Sequence, residues 1–195
     1  GVTTGGSNTA LGRDALNAIS TGYANVAVGT NSGAGITGGR AKNTLIGYFA
    51  GQSATNDDQV NIGYFAGQNA TGQYAIAIGT EAGKAANSNS IYIGYESGKT
   101  RTGTENVCIG RQAGYGGSGG SNVFIGSEAQ TGSSSGSNNI CIGRESSLSS
   151  TSVSNEITLG NSSIASLRIP GLQSGASNGQ VLTYNSTDGD LELAD

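Results

Sequence analysis

A short pattern of apolar and polar positions recurs along most of the chain. Each copy has a polar residue, usually Asn, followed by an apolar residue, a variable residue, a second apolar residue and Gly. Ala or Ser stands three residues after that Gly. The anchoring glycines are Gly12, Gly29, Gly47, Gly63, Gly79, Gly94, Gly110, Gly126, Gly143 and Gly160. Their spacing of 15–18 residues indicates ten copies of one structural unit.

The three residues before each glycine predict a short β-strand. The first and third are mostly β-branched, as in Val26/Val28 and Ile91/Ile93. Alternation places both of these side chains on one face of the strand, and we expect that face to form the core. The glycine allows a sharp turn, and the small residue after it indicates a tight corner.

Units of this length predict an all-β fold, a parallel β-roll or β-solenoid of about ten coils of 15–18 residues. At the usual strand spacing, such a roll is a rod about 48 Å long. We assign residues 1–163 to the β-roll and residues 164–195 to a C-terminal connector. Within the connector, Val181–Tyr184 and Leu191–Leu193 flank an Asp-Gly turn and predict a β-hairpin.

The variable middle residue of each strand is expected to point away from that core. Several members of this row are too apolar to remain in water. We therefore expect the row to pack on other copies of the chain, most simply around a threefold axis; the alternative is a cover formed by neighbouring loops. The candidate trimer-interface residues are Leu45, Tyr92, Cys108, Phe124 and Cys141.

The repeat resembles the head repeat of YadA-like trimeric autotransporter adhesins. The segments Asn106-Val-Cys-Ile-Gly-Arg-Gln-Ala113 and Asn25-Val-Ala-Val-Gly-Thr-Asn-Ser32 are most similar to it. The resemblance covers residues 8–163 and implies a left-handed parallel β-roll that trimerises side by side and attaches to a surface. The same repeats occur in bacteriophage tail fibres, so the resemblance does not decide between a phage protein and a bacterial adhesin.

The C-terminal stretch favours the phage interpretation. Residues 156–169 resemble the segment that often precedes the chaperone of phage tail fibres, and residues 179–193 resemble a short β-module of virion fibres. An adhesin head would instead continue into a coiled-coil stalk, and no heptad pattern is present. We expect a homotrimeric tail-fibre segment in the virion that binds other tail components and a glycan or protein receptor on the host. The alternative is the head of a bacterial trimeric adhesin on the outer cell surface.

The composition and the local motifs of the chain disfavour several other functions. The chain has 195 residues, no His, a net charge of −4 and only nine scattered Lys and Arg, which disfavours nucleic-acid binding. No apolar run is long enough for a membrane helix, so we expect no membrane insertion. The Gly-x-Gly-x-x-Gly strings at 33–38 and 114–119 lie in repeat loops without a following helix, and 94–100 lacks the spacing of a phosphate loop. We therefore expect no cofactor.

Candidate chemistry is sparse, and we expect no enzyme. Cys108 and Cys141 lie two coils apart, too far for an intrachain disulfide, so they are interpreted as apolar filler or, alternatively, an interchain bridge. The acidic residues Asp188, Asp190, Glu192 and Asp195 are interpreted as a solvated hairpin, with a cation site as the alternative. A second acidic set recurs at one repeat position and predicts a stacked row: Glu81, Glu96, Glu128 and Glu145.

The aromatic residues give the only suggestion of a binding surface. Tyr48-Phe49 and Tyr64-Phe65 follow consecutive repeat glycines, and Tyr95 occupies the same row two coils later. These five residues are candidates for glycan or receptor contact because rings offer an apolar face with a polar rim. The alternative is a ladder in which the rings pack coil on coil or chain on chain.

Overall fold

Ten three-residue strands stack into one parallel sheet. The computed structural model describes residues 5–85 and 87–166, together with 181–184 and 191–194. The strands of the main sheet are β1 (Thr9–Leu11), β2 (Val26–Val28), β3 (Thr44–Ile46), β4 (Val60–Ile62), β5 (Ile76–Ile78), β6 (Ile91–Ile93), β8 (Val107–Ile109), β10 (Val123–Ile125), β11 (Ile140–Ile142) and β12 (Ile157–Leu159). A small parallel pair, β7 (Thr100–Arg101) and β9 (Gly116–Gly117), forms a second sheet. The described residues contain no helix.

Each strand pairs with the strand of the next coil in strict register. Ala27 lies opposite Leu45, and Tyr92 lies opposite Cys108. The hydrogen bonds continue beyond the strands, since the Gly29 amide donates to the Leu11 carbonyl at 2.8 Å. Ten strands stacked in this way form a β-solenoid of about nine turns. The predicted all-β parallel solenoid is therefore confirmed.

The glycine that ends each strand is required by both conformation and space. From Gly12 to Gly143 these residues have φ between +122° and +139°, which side chains rarely adopt. A Cβ on Gly110 would lie 2.4 Å from the carbonyl oxygen of Gly126, its equivalent in the next coil. The glycines thus form a continuous ladder in which the backbones approach too closely for any side chain.

Two further corners of each coil use left-handed backbone at residues other than glycine. One corner lies two residues after the repeat glycine, where Phe49, Phe65 and Glu81 have φ of 55–56°. The other lies just before the repeat Asn position, where Tyr74 and Asn89 have φ of 56° and 58°. The sequence pattern gave no sign of these bends, because no single residue type occupies them.

The asparagine that begins most repeats belongs to a buried ladder. The Asn106 Oδ1 accepts hydrogen bonds from the backbone N–H and the Nδ2 of Asn122, both at 3.1 Å. Asn122 Oδ1 accepts from the Asn139 N–H in the same way at 2.9 Å, and Asn139 Oδ1 accepts from the Glu156 N–H at 2.9 Å. Each amide therefore satisfies a backbone donor that the turn would otherwise leave buried and unpaired.

The expected orientation of the strands is wrong, because the middle residue of each main-sheet strand from β2 to β11 is buried in the core. Leu45, Tyr92, Cys108, Phe124 and Cys141, expected to line a trimer interface, are all fully buried within the single chain. The β-branched residues on either side of them face outward. The reason is spatial: a coil this thin has room inside for one side chain per strand, whereas the outer surface has room for two.

Glycines and small residues make the space for these core side chains. A Cβ on Gly98 would lie 2.0 Å from the Tyr92 ring, and one on Gly114 would lie 2.4 Å from the Cys108 Sγ. Large and small residues also alternate from coil to coil, since Phe124 packs between Cys108 and Cys141. Neighbouring side chains of complementary size suit the close packing of a narrow interior.

The chain divides into two compact units, Gly1–Asn161 and Ser162–Asp195. The second contains β13 (Val181–Tyr184) and β14 (Leu191–Ala194), which pair in antiparallel register. The Asp-Gly turn expected between them lies outside the described residues, so the hairpin module stays a prediction.

Candidate functional site

The outward residues of the main sheet form a flat apolar surface, here called the outer face. It consists of the first and third residues of each strand, which are Val, Ile or Leu at all but two of these positions. Ile46 and Ile142 are about two-fifths exposed, and Ile157 is 66% exposed. At about 4.8 Å per strand the outer face extends for roughly 43 Å. In proteins generally, contiguous exposed apolar patches larger than roughly a few hundred Å² are typical of interaction sites.

Four of the five aromatic residues singled out in the sequence form one cluster at a corner of the coil. The rings of Tyr48 and Tyr64 stack with centroids 5.4 Å apart and planes 7° apart. Phe49 and Phe65 stack in parallel at 5.1 Å. Each Tyr ring also contacts the Phe that follows it edge-on, at 4.4 Å. The rings therefore pack coil on coil, although both tyrosines remain nearly half exposed.

Tyr95 lies in the same row as Tyr48 and Tyr64, but a threonine separates it from them. The Glu81 amide donates to the Tyr64 carbonyl, and the Glu96 amide donates to the Thr80 carbonyl, both at 2.8 Å. Tyr64, Thr80 and Tyr95 therefore occupy equivalent positions in three successive coils. The short Thr80 side chain interrupts the row of tyrosine rings.

Charged residues lie beside this row and neutralise one another. The Lys99 ammonium pairs with Glu81 and with Glu96, the latter at 2.6 Å, and Lys84 pairs with Glu81 at 3.5 Å. Hydrogen bonds from Lys99 and Gln112 hold the pKa of Glu96 below its usual range. The two carboxylates raise the pKa of Lys99. Two carboxylates and two ammonium groups thus leave this corner without net charge.

Arg101 is a fully buried cation that the sequence pattern did not reveal. Its guanidinium donates to the carbonyl oxygens of Gly114, Gly116 and Gly119 at 2.7–3.1 Å and to the Ser134 hydroxyl at 3.0 Å. It also lies 4.9 Å from the centroid of the Phe124 ring. Desolvation by burial lowers its pKa. These donors join three successive coils, which makes Arg101 a structural residue.

Both cysteines are buried and free. Burial raises the pKa of Cys108 to about 12 and also raises the pKa of Cys141. A thiol that is neutral and inaccessible is a poor nucleophile, which fits the interpretation of these residues as apolar filler.

The other candidate residues form no metal site within the described part of the chain. No group of three or more His, Cys, Asp or Glu side chains there is placed to hold a metal ion. The C-terminal acidic residues lie outside the described residues, apart from the backbone of Glu192. Of the residues that the structure describes, none belongs to a helix long and apolar enough to cross a membrane.

Comparisons with protein-family models, with curated proteins and with solved structures find no match to this chain. The candidate functional site has two parts, the outer face and an aromatic corner that comprises Tyr48, Phe49, Tyr64, Phe65 and Tyr95.

Proposed function

We propose that the chain is a rod-like segment of a homotrimeric bacteriophage tail fibre that attaches the virion to the host surface without catalysis. The observation that carries the proposal is the outer face. In a single chain it leaves two rows of aliphatic side chains partly exposed to water, at a cost of roughly 25 cal/mol per Å² of exposed apolar surface. Packing the outer faces of several copies together removes that cost.

A threefold arrangement suits the shape of this surface. The outer face is long and narrow, because ten strands of three residues each repeat in strict register. Three such faces meeting around one axis bury both rows of every chain and leave the corners and loops on the outside. Closed cyclic symmetry of this kind is the usual solution for homo-oligomers. The resemblance to YadA-like head repeats supports the same left-handed, side-by-side trimer.

Attachment follows from what the trimer would leave exposed. The aromatic corner lies outside the strands, so three copies of Tyr48, Phe49, Tyr64, Phe65 and Tyr95 would be presented around the rod. Three linked weak contacts bind far more tightly than one, because the later contacts form at high effective concentration. The absence of histidine from the sequence and the mutual neutralisation of the corner carboxylates support a role without catalysis.

A bacterial adhesin head would use the same rod and the same outer face. The antiparallel pair β13 and β14, which follows the repeats in the chain, is the observation that favours a fibre. Virion and host surface are accordingly the proposed location and target.

Light scattering on a sizing column tests the assembly. We expect a mass of three times the chain mass of 19.3 kDa. Ile109→Lys places a charge in the centre of the outer face and should give a folded protein of monomer mass. Tyr23→Lys, at a half-exposed residue outside the strands, is the matched control and should remain trimeric. A wild-type monomer, or a trimer that survives Ile109→Lys, would contradict the proposal.

A further inference from the structure

The row of tyrosine rings is interrupted at Thr80, between Tyr64 and Tyr95. Tyr48 covers one face of the Tyr64 ring, since the two rings are stacked and nearly parallel. The other face of Tyr64 points along the rod toward Thr80, whose side chain is too short to cover it. Tyr95 stands on the far side of Thr80, and Tyr64 and Tyr95 are each 49% exposed. We propose that Tyr64, Thr80 and Tyr95 form a slot that binds one pyranose ring of a neutral saccharide.

The separation of the walls favours a sugar over a flat ring. One coil already brings Tyr48 and Tyr64 into ring contact at 5.4 Å. Tyr64 and Tyr95 are two coils apart, about 10 Å along the rod at the usual strand spacing. A flat aromatic guest would contact one wall and leave a space at the other. A pyranose chair is thicker, and its axial C–H groups can contact an aromatic ring on each side.

The polar surroundings supply partners for sugar hydroxyls. The Thr80 hydroxyl lies at the base of the slot and both donates and accepts hydrogen bonds. The carboxylates of Glu81 and Glu96, in the adjoining row, already accept from lysines and Gln112, so the Thr80 hydroxyl is the polar partner that the slot offers. Lys84 and Lys99 neutralise these carboxylates, so the corner has no surplus charge to hold an acidic sugar. The slot therefore fits a neutral hexose unit.

This assignment rests on the proposed attachment function and names the class of receptor: a polysaccharide with neutral hexose units. The walls come from two repeats and the base from the repeat between them, so a single chain holds a complete slot. A trimer presents three slots at the same height around the rod, which suits a repetitive surface polymer.

The test is saturation-transfer NMR on the full chain with the methyl glycosides of glucose, galactose, mannose and N-acetylglucosamine. We expect at least one glycoside to receive saturation from the wild-type protein. Thr80→Tyr should continue the ring stack of Tyr48 and Tyr64, fill the slot and lower that signal at least tenfold. Thr80→Ser keeps the slot open and the hydroxyl present, and should leave the signal unchanged. N-acetylneuraminic acid, an acidic sugar, should receive little saturation.

Three outcomes would overturn the slot: no saturation of any of the four glycosides, an unchanged signal in Thr80→Tyr, or equal saturation of the acidic sugar. Light scattering and thermal melting of each variant show whether the fold and the trimer are intact. If the wild type is trimeric and none of the four glycosides receives saturation, the slot is wrong and the proposed attachment function is not contradicted. If the glycosides bind a monomeric wild type, the slot stands and the trimeric fibre does not.

Discussion

At the residue scale, backbone geometry explains why the repeat glycine and the repeat asparagine recur. Each repeat glycine from Gly12 to Gly143 combines a positive φ with a close approach to the next coil, and neither feature tolerates a Cβ. The buried asparagines satisfy backbone donors of the following coil. Both residues were evident from the sequence as a pattern. Their roles in ladders along the solenoid were not evident, because the contacts join residues 16–18 positions apart in the chain.

Substituting a strand-end glycine tests the backbone ladder. Gly110→Ala places a Cβ against the Gly126 carbonyl at a φ of +134°. We expect it to lower the free energy of unfolding by at least about 3 kcal/mol, because strain and overlap add. Gly132→Ala is the control, since only the end of the Gln130 side chain comes within 4 Å of the new Cβ. Urea unfolding measures both, and equal losses in the two variants would refute the argument.

The buried titratable groups of the core predict instability in alkali. Desolvation raises the pKa of Cys108 from 9.0 to about 12 and that of Tyr92 from 10.0 to about 12. The unfolded chain therefore loses these protons at lower pH than the folded chain does. Stability is fully present below about pH 9 and should fall as the pH rises toward 12, since the folded state then binds more protons than the unfolded state.

Urea midpoints measured from pH 8 to 11.5 under reducing conditions give the size of this effect. Cys108→Ala lowers stability at every pH because it leaves a cavity, but it should reduce the decline from about pH 9 upward, where the unfolded thiol has lost its proton and the folded thiol keeps it, most visibly between pH 9 and 10 before Tyr92 contributes. The Tyr92 contribution above pH 10 should remain. The same slope between pH 9 and 10 in the wild type and the variant would show that the thiol is not responsible.

At the element scale, the short strands are held by in-register pairing and by the polar ladder beside them. Three-residue strands were predictable because the apolar pattern is strict. The face that these strands bury was not predictable, because period-two alternation is equally consistent with a buried middle residue and with buried flanking residues. The signal that distinguishes the faces is size. From Ala77 to Cys141 the middle row alternates between small and large residues, as a filled interior requires, whereas the outer rows are aliphatic at all but two positions.

Truncating one asparagine tests how much the ladder contributes. Asn122→Ala removes the side-chain donors to Asn106 Oδ1 and Gly136 O and the acceptor for the Asn139 N–H. We expect a loss of about 2 kcal/mol in the free energy of unfolding, since buried backbone groups lose their partners. Asn122→Ser should lose less, because Ser90 at the same position of another repeat accepts the Asn106 N–H at 3.2 Å. A serine variant as unstable as the alanine variant would contradict this role.

At the element scale, the aromatic corner was only partly predictable from the sequence. That Tyr48, Phe49, Tyr64 and Phe65 lie together followed from their equivalent repeat positions. The orientation of the rings did not, because it depends on the corner geometry at Phe49 and Phe65, whose φ values are 56° and 55°. The buried position of Arg101 had no sequence signal at all, since its partners are backbone carbonyls.

At the scale of the whole molecule, the proposed assembly depends on which side of the main sheet faces inward. Fully buried middle residues give the solenoid its own core, which leaves the outer face free to join several copies. The attachment rod and the three equivalent slots both follow from that arrangement. A solenoid with the opposite orientation would present the single middle row of each strand for assembly, in place of the two rows of the outer face.

Thiol labelling as a function of protein concentration tests this orientation most directly. In the wild type, Cys108 and Cys141 should stay unreactive at every concentration until the protein is unfolded, because they lie inside each chain. Ile109→Cys adds one thiol on the outer face, which should react in dilute monomer and become protected as the trimer forms. If instead the native cysteines react on dilution and are protected at high concentration, the middle row is the interface and the central claim is wrong.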